Sequence, residues 1–229
     1  MTRKENDRGN SLWDEPPSTF ERAPIRLAFV SGLSDPRCCR LTEAQQELLD
    51  RMATACDRPH ELSLVTRNFP FVERGDVDRP EPGLVSASRA NAGQYRALRR
   101  TAFVDRCLPH WLALRRSSER LRIVTLSCGL ELIDRLEARA IGRGESPIDL
   151  KIAALGPVVG RRTPLAPLTI CGSRDLLSRW FVPRPDVVVP GIGHLGYVVS
   201  PIVEEHLNRW LSDSISESSA PEAISPPRS

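Results

Sequence analysis

The sequence predicts an α/β fold: a mostly parallel sheet of roughly six strands with helices on both faces. Two observations carry that reading. Short apolar runs of strand length alternate with longer segments of helical period, the pattern of strands buried on both faces by crossover helices. The chain also has 229 residues at 40% hydrophobic content, enough for one domain with a sizeable core.

Taken in order, residues 1–22 are polar and contain prolines, and residues 214–229 are rich in Ser and Pro. Both read as disordered tails around a domain spanning 23–213. Ile25 to Val30 is the first strand. Thr42 and Gln45 then stand at capping-box spacing, and Leu41, Ala44, Leu48 and Met52 share one helical face. Leu62 to Thr66 is the second strand. A proline-rich loop reaching about Ser88 leads to an arginine-rich helix from about Asn91 to Arg116, with Pro109 as the place for a kink. Leu121 to Leu126 is the third strand, and Leu130, Ile133, Leu136 and Ala140 line the helix after it. Ile152 to Leu155, Leu168 to Cys171 and Val187 to Val189 supply the remaining strands. The last helix shows the series Ile202-His206-Trp210 and Val203-Leu207-Leu211 on one face.

Composition narrows the function classes. The net charge is +3, and Lys4 and Lys151 are the only lysines, so nothing demands a nucleic-acid partner. The N-terminus reads Met-Thr-Arg-Lys-Glu-Asn-Asp-Arg with no apolar run behind it, and no stretch reaches the length of a membrane span. A cytoplasmic location is the expectation. The cysteines Cys38, Cys39, Cys56, Cys107, Cys128 and Cys171 lack paired C-x-x-C spacing, so they read as free thiols, with no metal site and no cofactor expected.

Chemistry enters with three stretches in the second half. Ser127 lies in Thr125-Leu126-Ser127-Cys128-Gly129, Asp175 in Gly172-Ser173-Arg174-Asp175, and His194 in Pro190-Gly191-Ile192-Gly193-His194. A serine hydroxyl needs a histidine to take its proton and a carboxylate to orient the imidazole, so this order proposes acyl transfer to water. Each residue follows a strand directly, and in an open parallel sheet those loops share the ligand-binding edge. Asp149 and Asp186 precede their strands and fall on the opposite edge. Ser127 and Asp175 also have a simpler reading as helix N-caps.

On these residues the chain resembles the α/β-hydrolase superfamily, whose nucleophile sits on a sharp strand-to-helix turn and is followed by an acid and a histidine. The likeness covers roughly Ile25 to Leu211, with Thr125 standing where the family has glycine. It implies Ser127 as nucleophile, His194 as general base and then acid, and Asp175 as orienting carboxylate. It also implies an oxyanion hole from the backbone amides of Cys128 and, after the first strand, Leu33, with Gly32 giving the backbone room. The implied activity is hydrolysis of a carboxylic ester or thioester through an acyl-enzyme. Its partner would be a small acyl substrate.

Many relatives insert a lid after the fourth strand, whereas here that loop is about ten residues, so a minimal fold without a large cap is expected. Arg161 and Arg162 in this loop either face solvent or select an acidic substrate. Phe69, beginning a loop at the same sheet edge, is a further substrate-binding candidate. Two rivals stand beside the enzyme: a non-catalytic binding protein on the same scaffold, and a nucleotide-binding domain. The second lacks G-x-G-x-x-G after its first strand. His60, His110 and His206 read as structural, and the arginines of the long helix as a solvated face.

Overall fold

The structure is a computed structural model that describes residues 12–32, 38–72, 93, 95–160 and 163–216. Six strands form one sheet: β1 (Ala23–Ser31), β2 (Leu62–Val65), β3 (Ser118–Leu126), β4 (Asp149–Leu155), β5 (Leu168–Gly172) and β6 (Val187–Val189). Their order is β2-β1-β3-β4-β5-β6, and every pairing is parallel. Among the described residues, the helices α1 (Glu43–Thr54), α2 (Thr101–Arg116), α3 (Gly129–Gly142), the short α4 (Leu176–Phe181) and α5 (Pro201–Ser216) accompany them.

Alternation along the strands divides the core in two, as a two-residue period requires. Ile25, Leu27 and Phe29 join Leu48, Leu49, Val203 and Leu207 on the α1/α5 face. Ala28, Val30, Leu121 and Ile123 join Trp111, Leu130 and Ile133 on the α2/α3 face. Thr42 closes the expected capping box of α1, accepting from the Gln45 amide while Gln45 Oε1 accepts from the Thr42 amide.

The strand order locates the crevice. From β1 the chain moves outward through α1 to β2, and from β2 it returns through α2 to β3 on the other side of β1. Loops after β1 and β3 therefore leave on opposite faces, and the gap between them is where such sheets bind ligands. Register brings the strand ends level there: Ser31 pairs with Leu126, and Leu126 with Leu155.

Two expectations are corrected. The single helix from Asn91 to Arg116 is interrupted, because residues 98–100 form a turn and Arg100 adopts an extended conformation (φ −99°, ψ 118°) ahead of α2. No Gly or Pro marks the break, so the helical period ran through it unseen; α2 continues through Pro109. The expected N-terminal tail is packed in part. Leu12–Asp14 forms a 3₁₀ turn, Trp13 lies against Phe69 and Phe103, and Ser18 Oγ donates to the Phe71 carbonyl at 2.6 Å. At the other end α5 carries Ser214 and Ile215, both buried, to Ser216.

Beneath the α2/α3 layer lies a charged cluster. Arg115, with a side chain 3% exposed, pairs with Glu137 at 3.0 Å, and Glu137 also accepts from Trp111 Nε1 at 3.0 Å. Removing one partner of a buried pair strands the other charge. Glu137→Leu is expected to lose about 3 kcal/mol or more of stability in urea unfolding. Arg209→Ala, which breaks an exposed i,i+4 pair with Glu205, should cost under about 0.5 kcal/mol.

Candidate active site

At the carboxyl end of β3 the backbone turns sharply into α3. Ser127 sits in that turn at φ +57°, a left-handed conformation that non-glycine residues seldom adopt. Two residues on, a Cβ on Gly129 would lie 2.1 Å from the Val30 carbonyl oxygen. That contact is backbone, which cannot yield, so only glycine lets α3 start this close to β1. Thr125, standing where a glycine was expected, is buried in β3, and its Cβ would be only in ordinary contact, 3.4 Å, with that added atom. Its hydroxyl is buried without a hydrogen-bond partner. Hydrogen bonds to β4 and the loop after it hold the turn: Ser127 N–H donates to the Leu155 carbonyl at 3.1 Å and the Ser127 carbonyl accepts from Val158 N–H at 3.0 Å.

Asp175 follows β5 and makes both contacts that the sequence left open, a helix cap and a bond to His194. Its Oδ1 accepts from Ser178 N–H at 3.1 Å, capping α4, while Oδ2 lies 2.8 Å from His194 Nδ1. Tyr197 O–H donates to the same Oδ2 at 2.7 Å. Burial alone would raise the proton affinity of this carboxyl; hydrogen bonds from Tyr197, Ser178 and His194 outweigh it and hold Asp175 below the usual carboxylate range. The loop carrying His194 rests on the turn carrying Asp175. Arg174 N–H donates to the Ile192 carbonyl at 3.0 Å and Gly191 N–H to Ser173 Oγ at 2.8 Å.

His194 Nε2 lies 3.2 Å from Ser127 Oγ. The tautomer follows from the acceptors: ionised Asp175 can only accept, so Nδ1 carries the hydrogen and Nε2 of the neutral ring offers its lone pair to the serine hydroxyl. The acid side chain is 1% exposed and the imidazole 27%. The arrangement can shift a proton from Ser127 to His194 while a buried carboxylate steadies the resulting cation.

The structure thus brings Ser127, Asp175 and His194 together. Cys128, buried, adjoins Ser127 at the head of α3, and burial pushes its thiol up to about 12. Gly32 is buried at the end of β1, where Asn68 Oδ1 accepts from Ser31 N–H at 2.9 Å. Leu33, Arg161 and Arg162 lie outside the described residues. Phe69 is a correction: it is fully buried among Trp13, Phe71 and His110 and offers no surface to a substrate. The backbone after β2 turns inward, which a position at the sheet edge did not convey. Asp149 and Asp186 lie at the amino ends of β4 and β6, Asp186 Oδ2 accepting from Thr169 N–H of β5 at 2.7 Å.

Three contributors were missed. Tyr197 supports the acid, Asn68 fastens the end of β1, and Gly156, at φ +50°, leaves room that a Cβ would fill 2.6 Å from the Tyr197 ring. Only the glycine, immediately after the fourth strand, had a positional signal. Loop after β4 and helix α3 are tied together by Gly160 N–H to Glu131 at 3.0 Å and Thr163 Oγ1 to Asp134 at 2.6 Å. Among the described residues, no cluster of His, Cys, Asp or Glu could hold a metal ion, and no helix is long and apolar enough to cross a membrane.

Two substitutions test the turn. Gly129→Ala should prevent normal folding or cost several kcal/mol, whereas Thr125→Val, which removes an unpartnered buried hydroxyl, should raise stability by about 1 kcal/mol in thermal unfolding. Acid titration tests the carboxylate. Because the folded chain holds Asp175 below its ordinary value of 3.8, the unfolded chain takes up that proton first. Its stabilisation is present above that value and disappears as pH falls through the lower folded value. The stability gap between the natural chain and Asp175→Asn, read from urea midpoints, is expected to shrink as pH drops below about 4.

Comparison with known proteins places this arrangement. No family model matches the chain, and no curated protein matches it. Among solved structures, it is similar to a provisionally assigned hydrolase from Agrobacterium vitis S4, with 13% identity, a TM-score of 0.50, and coverage of 85% of this chain and 91% of the other. A hormone-sensitive lipase from a metagenome library aligns at 12% identity and TM-score 0.49 over 86% of this chain and 80% of that one. An esterase from the archaeon Pyrobaculum calidifontis aligns at 14% and 0.45 over 89% and 78%. At such identities the likeness is one of fold alone.

Proposed function

Since the chain has the α/β-hydrolase fold, we propose that it is a serine hydrolase cleaving a carboxylic ester or thioester through an acyl-enzyme intermediate. The observation that carries this reading is the unbroken contact from Ser127 Oγ through His194 to Asp175, at 3.2 and 2.8 Å. Those separations are within or at the edge of proton-transfer reach, which requires about 2.6–3.2 Å.

In this reading Ser127 Oγ attacks the carbonyl carbon as its proton passes to His194 Nε2. The imidazolium, held by Asp175, then protonates the leaving alcohol or thiol, and the acyl group stays on Ser127. Water repeats the sequence: His194 takes its proton, the hydroxide adds to the acyl carbon, and Ser127 leaves with the proton returned. Negative charge on the carbonyl oxygen would be met by the Cys128 amide and by a second donor from the loop that starts at Gly32, where Leu33 stands. One such donor is typically worth about 2.7–4 kcal/mol.

The surface beside the site bears on the substrate. Leu176 and Trp180 lead away from Asp175, and Leu195 follows His194; they are 76%, 83% and 68% exposed. Leu176 adjoins Asp175 and Leu195 adjoins His194 in the chain, so both lie at the site, and exposed apolar side chains there suit an apolar ligand. The reading therefore gives the substrate an apolar acyl or alcohol group that lies along this rim.

A fluorophosphonate probe tests the proposal, and the adduct is to be mapped by mass spectrometry. Labelling is expected at Ser127, and Ser127→Ala should lose both the label and roughly 10⁴-fold or more in kcat/KM on p-nitrophenyl esters. Folded protein that takes up no label would instead be a binding protein on a hydrolase scaffold.

A further inference from the structure

Tyr197 is a buried polar residue for which the proton path from Ser127 has no use. It is 1% exposed and lies three residues beyond His194. Its hydroxyl is engaged on both sides: it accepts from Gly172 N–H at 2.8 Å and donates to Asp175 Oδ2 at 2.7 Å. Because the amide supplies one hydrogen, the hydroxyl's own hydrogen is directed to the carboxylate. The ring is fixed in place. It stands edge-on to His194 at 88°, and Gly156 leaves no space beyond it, since a Cβ there would approach Cε2 to 2.6 Å.

One carboxylate oxygen therefore serves two donors. Tyr197 is neutral and stationary, whereas His194 Nδ1 becomes part of a cation each time Ser127 gives up its proton. The other oxygen is occupied by Ser178 N–H. A hydrogen bond to a carboxylate withdraws charge from it and so weakens its hold on a second partner. We propose that Tyr197 is a positioning residue that sets how strongly Asp175 stabilises the His194 imidazolium, and with it the pH range in which the base is available. This rests on the triad reading for its catalytic meaning, but its electrostatic content stands on the hydrogen bonds alone.

The neighbouring titratable groups do not supply that control. Cys128 beside Ser127 is pushed up to about 12 by burial, and burial raises Cys171 as well, so both thiols stay neutral over the working range. Arg174 and Arg179 are exposed on the turn around Asp175 and carry fixed charge, Arg179 Nη1 reaching the Ser173 carbonyl at 3.4 Å.

Two readouts on the full chain test the proposal: titration of the His194 ring by NMR, assigned through His194→Gln among four histidines, and the acid limb of kcat/KM on a p-nitrophenyl ester. Tyr197→Phe removes the donor, leaves more charge on Asp175, and should move both midpoints to higher pH by about half to one unit. The chain has two tyrosines, Tyr95 and Tyr197, so 3-fluorotyrosine incorporated into Tyr95→Phe alters position 197 alone. This more acidic phenol is a stronger donor and should move the midpoints to lower pH; it also carries the test if Tyr197→Phe does not fold. Shifts in opposite directions support the proposal. Unchanged midpoints, or shifts in the same direction, overturn it, as a tyrosine that only fills space would change stability and leave the titration alone. Failure of the triad reading looks different: Ser127→Ala would leave hydrolysis intact, while the NMR titration still reports on Tyr197.

Discussion

A close approach of two backbones governs this molecule. Helix α3 begins so near the end of β1 that Gly129 would press any Cβ into the Val30 carbonyl. To bring the helix there, the chain must reverse within two residues after Leu126, and Ser127 takes the left-handed conformation that the reversal requires. The strained residue is therefore the one whose side chain is lifted clear of the sheet. Strain of this kind persists only where the surroundings over-determine it. Here the paired strands β1, β3 and β4, the bonds from Ser127 to Leu155 and Val158, and the buried face of α3 do so.

A second constraint is electrostatic. Asp175 is almost entirely withdrawn from water, a placement that disfavours its charge. The fold answers with donors from three sources: the first turn of α4, the His194 loop and Tyr197. Capping and orientation of the imidazole are thus one arrangement. The residue that starts α4 also fixes the direction of His194, so the short helix has a role out of proportion to its six residues.

Much of this was legible in the sequence because it follows from periodicity and order. All six strands appear where the apolar runs stand, and the rule that loops after parallel strands share an edge separated Asp175 from Asp149 and Asp186 without any distance. What was illegible depends on radial position or on contacts between remote residues. Phe69 had the correct height along the sheet but points into the core. Tyr197 sits in a stretch, Gly196-Tyr197-Val198, that carries no motif, and its partner lies 22 residues away. The break at Arg100 left the helical period intact.

The N-terminal strap over the α2 side has a consequence for the order in which the chain assembles. Trp13 meets Phe69 and Phe103, and Ser18 and its partner Phe71 are separated by 53 positions. The central ladder is longer in reach still: Arg26 of β1 meets Ser118 of β3 across 92 positions. Pairings this remote make folding slow, since loops must close before contacts reward them. β1 can pair with β2 and meet α1 through shorter loops, but its longer ladder, to β3, waits on the closure of a far larger one.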